Sequence, residues 1–268
     1  MILWGPLMQK PLIDVLFMSE KRKTVLLLLK DGAKEMSPLI DHLKTSRQSL
    51  LPQMKILEEH HLITHYDDIY ELTCIGKLIV DSMVPLLDKI DVLDANIDYW
   101  GSRELAFIPP QLLEKISQLD KCEIINPSIH ELFSIHTSIN PKCEEASCVY
   151  IVTNILYPDF QSTIVDILEK NTGIQYIVSQ KLLDEIKTKY QKEFATFLKN
   201  KSFKMYVCNK EMKFLYFTFD SEQSLLTVLN KKEEFDHKFM LCKDQDAVDW
   251  IKELFEYYFE DSTLITEI

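Results

Sequence analysis

The side chains in this sequence that are best suited to chemistry lie in the first part of one helical stretch, TSRQSLLPQMKILEEHHLI. Arginine can pair bidentately with guanine and glutamine with adenine, whereas lysine holds phosphate and fixes register on a duplex. The chemistry they predict is therefore recognition of double-stranded DNA. The contacts predicted from this stretch are Thr45, Ser46, Arg47, Gln48, Ser49, Gln53 and Lys55.

The helix that must carry these residues is defined by its caps and by its apolar spacing. Thr45 and Gln48 have the spacing of a capping box, so the helix is predicted to begin at Ser46. Apolar residues recur four and seven positions after Leu50 and form a buried stripe. Pro52 then lies on the opposite, polar face, where we expect it to bend the helix.

Two further helices are predicted before this one. SEKRKTVLLLLKDG has Ser19 as its N-cap and Gly32 as its terminating residue, and SPLIDHLK has Ser37 as a cap with Pro38 in the first turn. Two short helices joined by a tight polar turn are typical of a helix-turn-helix, whose second helix enters the major groove.

A hairpin is predicted directly after the second helix of this motif. Two short β-prone runs, 62–66 and 69–73, flank the two-residue turn Asp67-Asp68. A hairpin in this position is a wing, and His65 and Tyr66 near its tip are predicted to touch phosphate or the minor groove. A plain surface hairpin is the alternative.

From Ile79 the apolar spacing changes to a heptad pattern. The pattern predicts either a core-facing helix or a dimerisation helix, bent at Pro85, and we favour a homodimer that reads two half-sites. The seam residues are Ile79, Met83, Leu86, Ile90, Leu93 and Ile97.

The rest of the chain alternates between strand and helix patterns. The run 149–179 reads as strand, helix and strand, a crossover unit that implies a parallel pair, and the later strands are predicted to be antiparallel. Strands are predicted at 123–125, 149–156, 174–179, 203–208, 214–219, 225–229 and 238–242, and helices at 109–119, 128–137, 159–171, 180–199 and 245–260.

The resulting prediction is an α+β protein of two domains. A winged helix-turn-helix occupies 1–73, a linker or dimerisation helix 74–100, and an α/β effector domain with a mixed sheet 101–268. Ligands collect beyond the carboxyl ends of parallel strands. A small-molecule effector site is therefore predicted at Asn154, Tyr157, Asp159 and Ser179, with ordinary loop residues as the alternative.

Composition and charge restrict the function classes. The net charge of −12 argues against nonspecific binding of nucleic acid by the whole surface. Residues 10–60, however, hold nine Lys/Arg against seven Asp/Glu, a net of +2, whereas 101–268 hold 19 against 27, a net of −8. Local binding of DNA by the N-terminal part remains compatible with this distribution.

Motifs for catalysis and for metal binding are missing from the sequence. Five glycines leave no room for a phosphate-binding glycine loop, and neither G-x-S-x-G nor H-E-x-x-H occurs. His130 and His136 are six apart, which does not bring them together on a helix. The six cysteines lack zinc-site spacing and are interpreted as reduced structural thiols. We expect no enzyme activity, no cofactor and no metal.

The apolar stretches are too short to cross a membrane. The N-terminus MILWGPLM lacks a basic region and a cleavage site, so it is not predicted to be a signal peptide. The expected location is the cytoplasm.

Several segments together resemble the methanogenesis regulatory protein family, over nearly the full length. They are SEKRKTVLLLLKDG, TSRQSLLPQMKILEEHHLI, YELTCIG, PLLDKIDVLDANIDYW and AVDWIKELFEYYFEDS. Members are archaeal, ArsR-like winged-helix transcriptional regulators of methanogens with a C-terminal effector domain. The resemblance implies a cytoplasmic DNA-binding regulator, dimeric and without enzyme activity.

The C-terminal half also resembles a single phospholipase-D-type α/β unit. Active members of that superfamily carry H-x-K-x4-D, but here the only H-x-K is His42-Leu43-Lys44, and Ser49 stands where the aspartate would be. Phosphodiester chemistry is therefore not expected. The alternative function is a degenerate hydrolase or a protein-interaction module with a fused winged helix.

Overall fold

The structure, a computed structural model, describes residues 10–128 and 148–268. The chain divides into two compact units, one that ends at Asp88 and one that runs from Lys89 to Ile268. The boundary falls inside the helix Cys74–Ala95, within the predicted linker. Each unit is described by itself below.

The first unit combines short helices with a three-stranded antiparallel sheet. Its helices are α1 (Leu12–Phe17), α2 (Glu20–Leu29), α3 (Met36–Leu43) and α4 (Arg47–Glu59). Its strands are β1 (Lys34–Glu35), β2 (Ile63–Tyr66) and β3 (Ile69–Leu72), in the order β1-β3-β2.

The helix starts follow the predicted caps to different degrees. Ser19 caps α2, as predicted, and accepts a hydrogen bond from the backbone N–H of Arg22. The start predicted for α3 at Ser37 is wrong, because the helix begins at Met36, whose N–H donates to the carbonyl of Asp68. That bond ties the start of α3 to the hairpin turn.

The start predicted for α4 is also wrong, by one residue. Ser46 rather than Thr45 is the cap, and its hydroxyl accepts from the N–H of Ser49 at 3.3 Å. The helix then continues through Pro52 to Glu59 without interruption. A serine hydroxyl can accept a hydrogen bond from an unpaired N–H of the first turn as well as a threonine hydroxyl can. The spacing in the sequence therefore did not show whether Thr45 or Ser46 is the cap.

The predicted hairpin is confirmed. Strands β2 and β3 pair antiparallel, with Tyr66 opposite Ile69 across a turn of two residues. Asp67 in that turn has a φ of 53°, a conformation that aspartate tolerates. Strand β1, which pairs with β3, was not predicted, because two residues are too few to show alternation.

A long helix, α5 (Cys74–Ala95), follows the hairpin, and α6 (Ile97–Ser102) follows after a break. The residues of the predicted seam have different environments, and Leu86 and Ile90 are exposed. Met83 is buried in the core of the first unit, Ile79 packs against that core, and Ile97 belongs to the second helix. Exposed apolar residues instead include Ile75 and Leu78, one turn earlier in α5.

The second unit contains one mixed eight-stranded sheet. Its strands are β4 (Glu123–Ile125), β5 (Cys148–Thr153), β6 (Gly173–Ser179), β7 (Phe203–Cys208), β8 (Phe214–Phe219), β9 (Ser224–Val228), β10 (Phe239–Cys242) and β11 (Ser262–Ile265). The strand order is β11-β7-β6-β5-β8-β9-β10-β4.

The predicted parallel pair is confirmed, since β5 and β6 are parallel along six residue pairs. The antiparallel prediction holds for β8, β9 and β10 but is wrong for β7, which is parallel to β6. Two helices lie between β6 and β7, and a connection of that length supports a second crossover rather than a hairpin. Strand β11 was not predicted.

Helices cover both faces of this sheet. The described helices are α7 (Pro110–Glu114), a 3-10 turn (Ile116–Leu119), α8 (Phe160–Glu169), α9 (Gln180–Lys189), α10 (Gln191–Phe197) and α11 (Gln245–Phe259). The helix predicted at 180–199 is therefore split at Tyr190, and the one predicted at 109–119 ends in a 3-10 turn. The helix predicted at 128–137, with His130 and His136, lies outside the described residues.

Alternation along the strands gives the sheet two apolar faces. Val149 of β5 packs in a cluster with α8, α9 and α10, whereas Val152 packs in a cluster with α11. Trp250 and Tyr258 of α11 are buried and donate hydrogen bonds to the carbonyls of Leu112 and Phe107. The core of this unit is thus fixed by polar bonds as well as by apolar area.

The interpretation of all six cysteines as reduced thiols is wrong, because Cys122 and Cys242 form a disulfide. Strands β4 and β10 pair antiparallel, which brings these residues opposite each other with their Cα atoms 4.4 Å apart. The 120 residues between them hide that proximity in the sequence.

Within the described ranges, no helix is long and apolar enough to span a bilayer.

Candidate nucleic-acid interface and effector pocket

Helix α4 has one buried and one exposed face, as its periodicity predicts. Leu50, Met54 and Leu57 are buried in the core of the first unit. The opposite face exposes Arg47, Gln48, Ser49, Leu51, Pro52 and Lys55. Most of the predicted contacts from this helix therefore share one solvent-facing row.

Arg47 forms a bidentate ion pair with Asp68 of the hairpin turn. Its Nη1 and Nη2 donate to the two carboxylate oxygens at 3.0 and 2.5 Å. These hydrogen bonds raise the pKa of Arg47 and hold the pKa of Asp68 below its ordinary value. The pair connects the first turn of α4 to the tip of the hairpin, and Asp68 was not among the predicted site residues.

One of the predicted contacts, Gln53, faces α2 instead of open solvent. The side-chain oxygen of Gln53 accepts from Nη1 of Arg22 at 2.7 Å, and the hydroxyl of Ser19 donates to it. Arg22 is buried, so this bond holds its charge inside the unit. Gln53 thus has a structural partner and is not part of the exposed row.

Ser49 lies beside Lys21, whose ammonium group donates to its hydroxyl. The lysine belongs to the first turn of α2, so that helix adds a cation next to the start of α4. Lys55 is exposed one turn after Pro52 and approaches Glu59 at 3.9 Å. Thr45 precedes the cap and is half-buried.

The hairpin places its two predicted residues differently. Tyr66 stands next to the turn with 79% of its surface exposed. His65 stacks on Tyr70 with ring centroids 5.2 Å apart, and its Nδ1 contacts the carboxylate of Glu58. Tyr66 is therefore open to a partner, whereas His65 is held by its neighbours.

The second unit contains a pocket against one face of its sheet, between β5, β8 and α8. It is lined by Val149, Ile151, Thr153, Ile155, Tyr157, Asp159, Phe160, Thr163, Ile164, Ile167, Tyr176, Tyr216 and Thr218. Two of the four predicted effector residues, Tyr157 and Asp159, belong to this lining. The pocket residues from β8 and α8 were missed, because nothing in the sequence shows which strands become neighbours.

The other two predicted effector residues have structural roles. The amide of Asn154 donates to the carbonyls of Met212 and Phe214 at 2.8 and 2.6 Å. The hydroxyl of Ser179 accepts from the N–H of Leu182 and caps α9. Neither residue lines the pocket.

Burial keeps the phenols of the pocket neutral. It raises the pKa of Tyr157, Tyr176 and Tyr216 well above the ordinary value. The rings of Tyr157 and Tyr216 meet edge to face with centroids 4.9 Å apart, and their hydroxyl groups interact. The described residues hold no group of three or more metal-binding side chains.

Both parts of the chain match profiles of one protein family. Residues 10–91 match "Methanogenesis regulatory protein FilR1, N-terminal domain", and 132–261 match the middle domain of the same protein. A curated relative, methanogenesis regulatory protein FilR1 of Methanothrix harundinacea (strain 6Ac), is 23% identical over 95% of this chain. The match covers 58% of the relative's length.

Three solved structures are similar to this chain with TM-scores below 0.5. One is described as "Structure of TrmBL2, an archaeal chromatin protein, shows a novel mode of DNA binding", with TM-score 0.42, 11% identity and coverage of 92% of this chain and 94% of that one. The phospholipase D family member Nuc from Salmonella typhimurium has TM-score 0.39, 7% identity and coverage of 54% and 99%. Phosphatidylserine synthase of Haemophilus influenzae Rd KW20 has TM-score 0.38, 12% identity and coverage of 50% and 37%.

Proposed function

Because the chain belongs to the methanogenesis regulatory protein FilR1 family, we propose that it is a sequence-specific, DNA-binding transcriptional regulator without enzyme activity. In this proposal the first unit is a winged helix-turn-helix, with α4 as the recognition helix and the β2–β3 hairpin as the wing. The second unit senses a small molecule and modulates operator binding. The chain spans only part of the relative's length, so its activity and partners are assigned here as proposals.

The observation that carries the proposal is the ion pair between Arg47 and Asp68. It joins the start of α4 to the hairpin turn, so that an exposed arginine, Gln48 and Tyr66 belong to one connected surface. Residues at the start of a recognition helix contact base edges, and the wing contacts the backbone or minor groove. Lys21 and Lys55 supply the charge for phosphates beside that row.

Homodimerisation is part of the proposal, since regulators of this type read two half-sites with two copies. The support is an apolar stripe on the exposed side of α5. Ile75, Leu78 and Leu86 are 51%, 68% and 48% exposed and lie within about 80° around the helix axis.

The proposal is tested by titrating labelled duplex DNA with the full chain at two salt concentrations. DNA selected from the genome by the protein supplies the specific duplex, and a scrambled duplex of equal length is the control. Affinity is expected to fall steeply as salt rises, because bound phosphates release counterions. A flat salt response would instead support a protein-interaction module, and turnover of a phosphodiester would support the degenerate hydrolase.

A variant then tests the assignment of the interface. Arg47→Ala is expected to weaken binding to the specific duplex by about 1–3 kcal/mol, because a bidentate contact to guanine is lost. Lys115→Ala in the second unit, which breaks an exposed ion pair with Glu253, serves as the control and is expected to bind normally. Equal affinity of Arg47→Ala and wild type would remove Arg47 from the interface.

A further inference from the structure

The pocket of the second unit has the shape of a small-molecule site. Its walls are alternate residues of β5, a helical stripe of α8 that includes Phe160 and Ile164, and two residues of β8. The space between the walls, open mouth included, is about 590 Å³, and its sides are mostly apolar, which suits an alkyl group.

No side chain that lines the pocket carries a positive charge. Apart from Asp159, every lining side chain is aliphatic, aromatic or a neutral hydroxyl, and the three tyrosines stay protonated because they are buried. A carboxylate or phosphate ligand would enter without a cation to meet it. Burying an unpaired anion is costly, so anionic ligands are excluded.

Asp159 is the single charged group of the lining, at the N-cap position of α8. Its carboxylate makes no capping hydrogen bond to the helix, and it is absent from the ion pairs formed by the described residues. The helix N-terminus contributes about half a positive charge, which only partly offsets a full carboxylate charge. The part of the pocket beside Asp159 therefore favours a cation.

We propose that this pocket binds a small alkyl amine, with the apolar chain against Ile151 and Ile164 and the ammonium group at Asp159. The tyrosine rings strengthen the preference, because aromatic faces attract cations where water is excluded. The inference rests on the proposed sensing role of the second unit and replaces a general polar effector with a class defined by charge. Binding itself does not depend on DNA.

The test uses three probes with the same carbon count and different charge. Butylamine, butanol and butyrate are titrated into the full chain at pH 7, and binding is followed by NMR. We expect butylamine to bind about tenfold more tightly than butanol, because a hydrogen bond to a charged group is the stronger one, and butyrate not to bind. Equal binding of amine and alcohol, preference for butyrate, or binding of none of the three would overturn the proposal.

Two variants and one control variant test whether the preference for the amine arises in this pocket. Asp159→Asn is expected to weaken the binding of butylamine about tenfold, because the negative charge is removed. The affinity for butanol is expected to stay within about twofold of the wild-type value. Asp166→Asn removes the same charge from an exposed position on α8 and is expected to change neither. Thr163→Phe fills the pocket and is expected to abolish both. A circular dichroism melt shows that each variant is folded.

The outcomes separate this inference from the proposed function. Normal binding of butylamine by a chain that fails to bind DNA would support the ligand class and overturn the regulator. Binding of DNA by a chain that does not prefer the amine would support the regulator and overturn the ligand class. If Thr163→Phe folds and still binds butylamine, the site lies elsewhere and the pocket assignment is wrong.

Discussion

Arg47 shows how a predicted contact residue is held before any partner is present. Its guanidinium is occupied on both nitrogens by Asp68, an exposed pair. Exposed ion pairs contribute little to stability, so the pair can exchange at small cost. A guanine or a phosphate that takes Arg47 must displace Asp68, and the carboxylate then faces the polyanion.

Replacing Asp68 by asparagine tests this competition. Asp68→Asn is expected to strengthen binding to any duplex by about 1 kcal/mol, because it frees Arg47 and removes a like charge beside phosphate. Affinities are measured at low and high salt, and the gain is expected to shrink as salt screens the charge. Glu35→Gln, exposed and likewise in the first unit, is the matched control. Weaker binding by Asp68→Asn would mean that the pair orients Arg47 rather than competing for it.

Gly76 in α5 packs closely against the backbone that precedes the hairpin. A Cβ at this position in α5 would lie 1.9 Å from the carbonyl oxygen of Leu62, which starts the hairpin. Gly76→Ala is therefore expected to destabilise the chain by about 1–3 kcal/mol, although alanine is the better helix former. Gly101→Ala in α6 meets no atom within 4 Å and is the control. Chemical denaturation gives both values, and equal stability of the two variants would refute the contact.

At the scale of elements, the loop after β9 is fixed to α6 by a buried arginine. Arg103 is 2% exposed, and its two Nη atoms donate to both oxygens of Asp236 at 2.8 and 2.6 Å. Its guanidinium also lies 4.2 Å from the ring centroid of Tyr99. A buried cation of this kind depends on its one carboxylate partner.

The stability contributed by this pair depends on pH. Partial burial is the largest single influence and opposes ionisation of Asp236, but the hydrogen bonds and positive charges of Arg103 and Lys238 together outweigh it and lower the pKa of Asp236. A lowered pKa gives stability that is present above the unfolded pKa of about 3.9 and is lost as pH falls through the folded pKa. Asp236→Asn is expected to cost about 2–4 kcal/mol at pH 7, since it leaves Arg103 buried without a counter-charge.

Urea denaturation at pH 7 and near pH 3 measures this dependence. The gap between Asp236→Asn and wild type is expected to narrow at the lower pH, because near pH 3 the unfolded carboxyl binds a proton more readily than the folded one and the stability from the ion pair is partly lost. Asp166→Asn, on the exposed face of α8, is the matched control and is expected to track the wild type. A gap that stays constant with pH would show that the loss comes from packing rather than from charge.

The sequence predicted elements better than it predicted their partners. The stripe of Leu50, Met54 and Leu57 is buried as expected, because helical spacing is a local property. The β7 direction, the Cys122–Cys242 bond and the β8 wall of the pocket were not predictable in the same way. Each depends on which strands become neighbours, and that is decided by the packing of the whole sheet.

The predicted site residues also differ in whether local sequence or distant contacts fix their environment. Arg47 and Tyr66 lie exposed, because caps and turn residues fix their elements locally. Gln53 and Asn154 turned out to have buried partners, which belong to distant parts of the chain. Side-chain chemistry alone identified them as polar, but only the fold shows which polar group is already satisfied.

For the whole molecule, the charge distribution agrees with the proposed homodimer. A net charge of −12 repels DNA, and the excess of cations in 10–60 is only +2. In the proposed regulator one copy offers few phosphate contacts, so affinity is expected to come from joining two binding surfaces. The exposed stripe of α5 is the apolar surface that we propose for that contact.

Leu78 is the best position at which to break such a dimer, because it is the most exposed member of the stripe. Leu78→Glu is expected to halve the mass measured by light scattering and to weaken binding to a duplex with two half-sites by about 100-fold. Binding to a single half-site is expected to stay unchanged, since α4 is not altered. Lys77→Glu, exposed but outside the stripe, adds the same carboxylate and is expected to leave the mass unchanged. A dimeric Leu78→Glu would move the contact between copies away from α5, and an effect on the single half-site would show damage to the recognition surface itself.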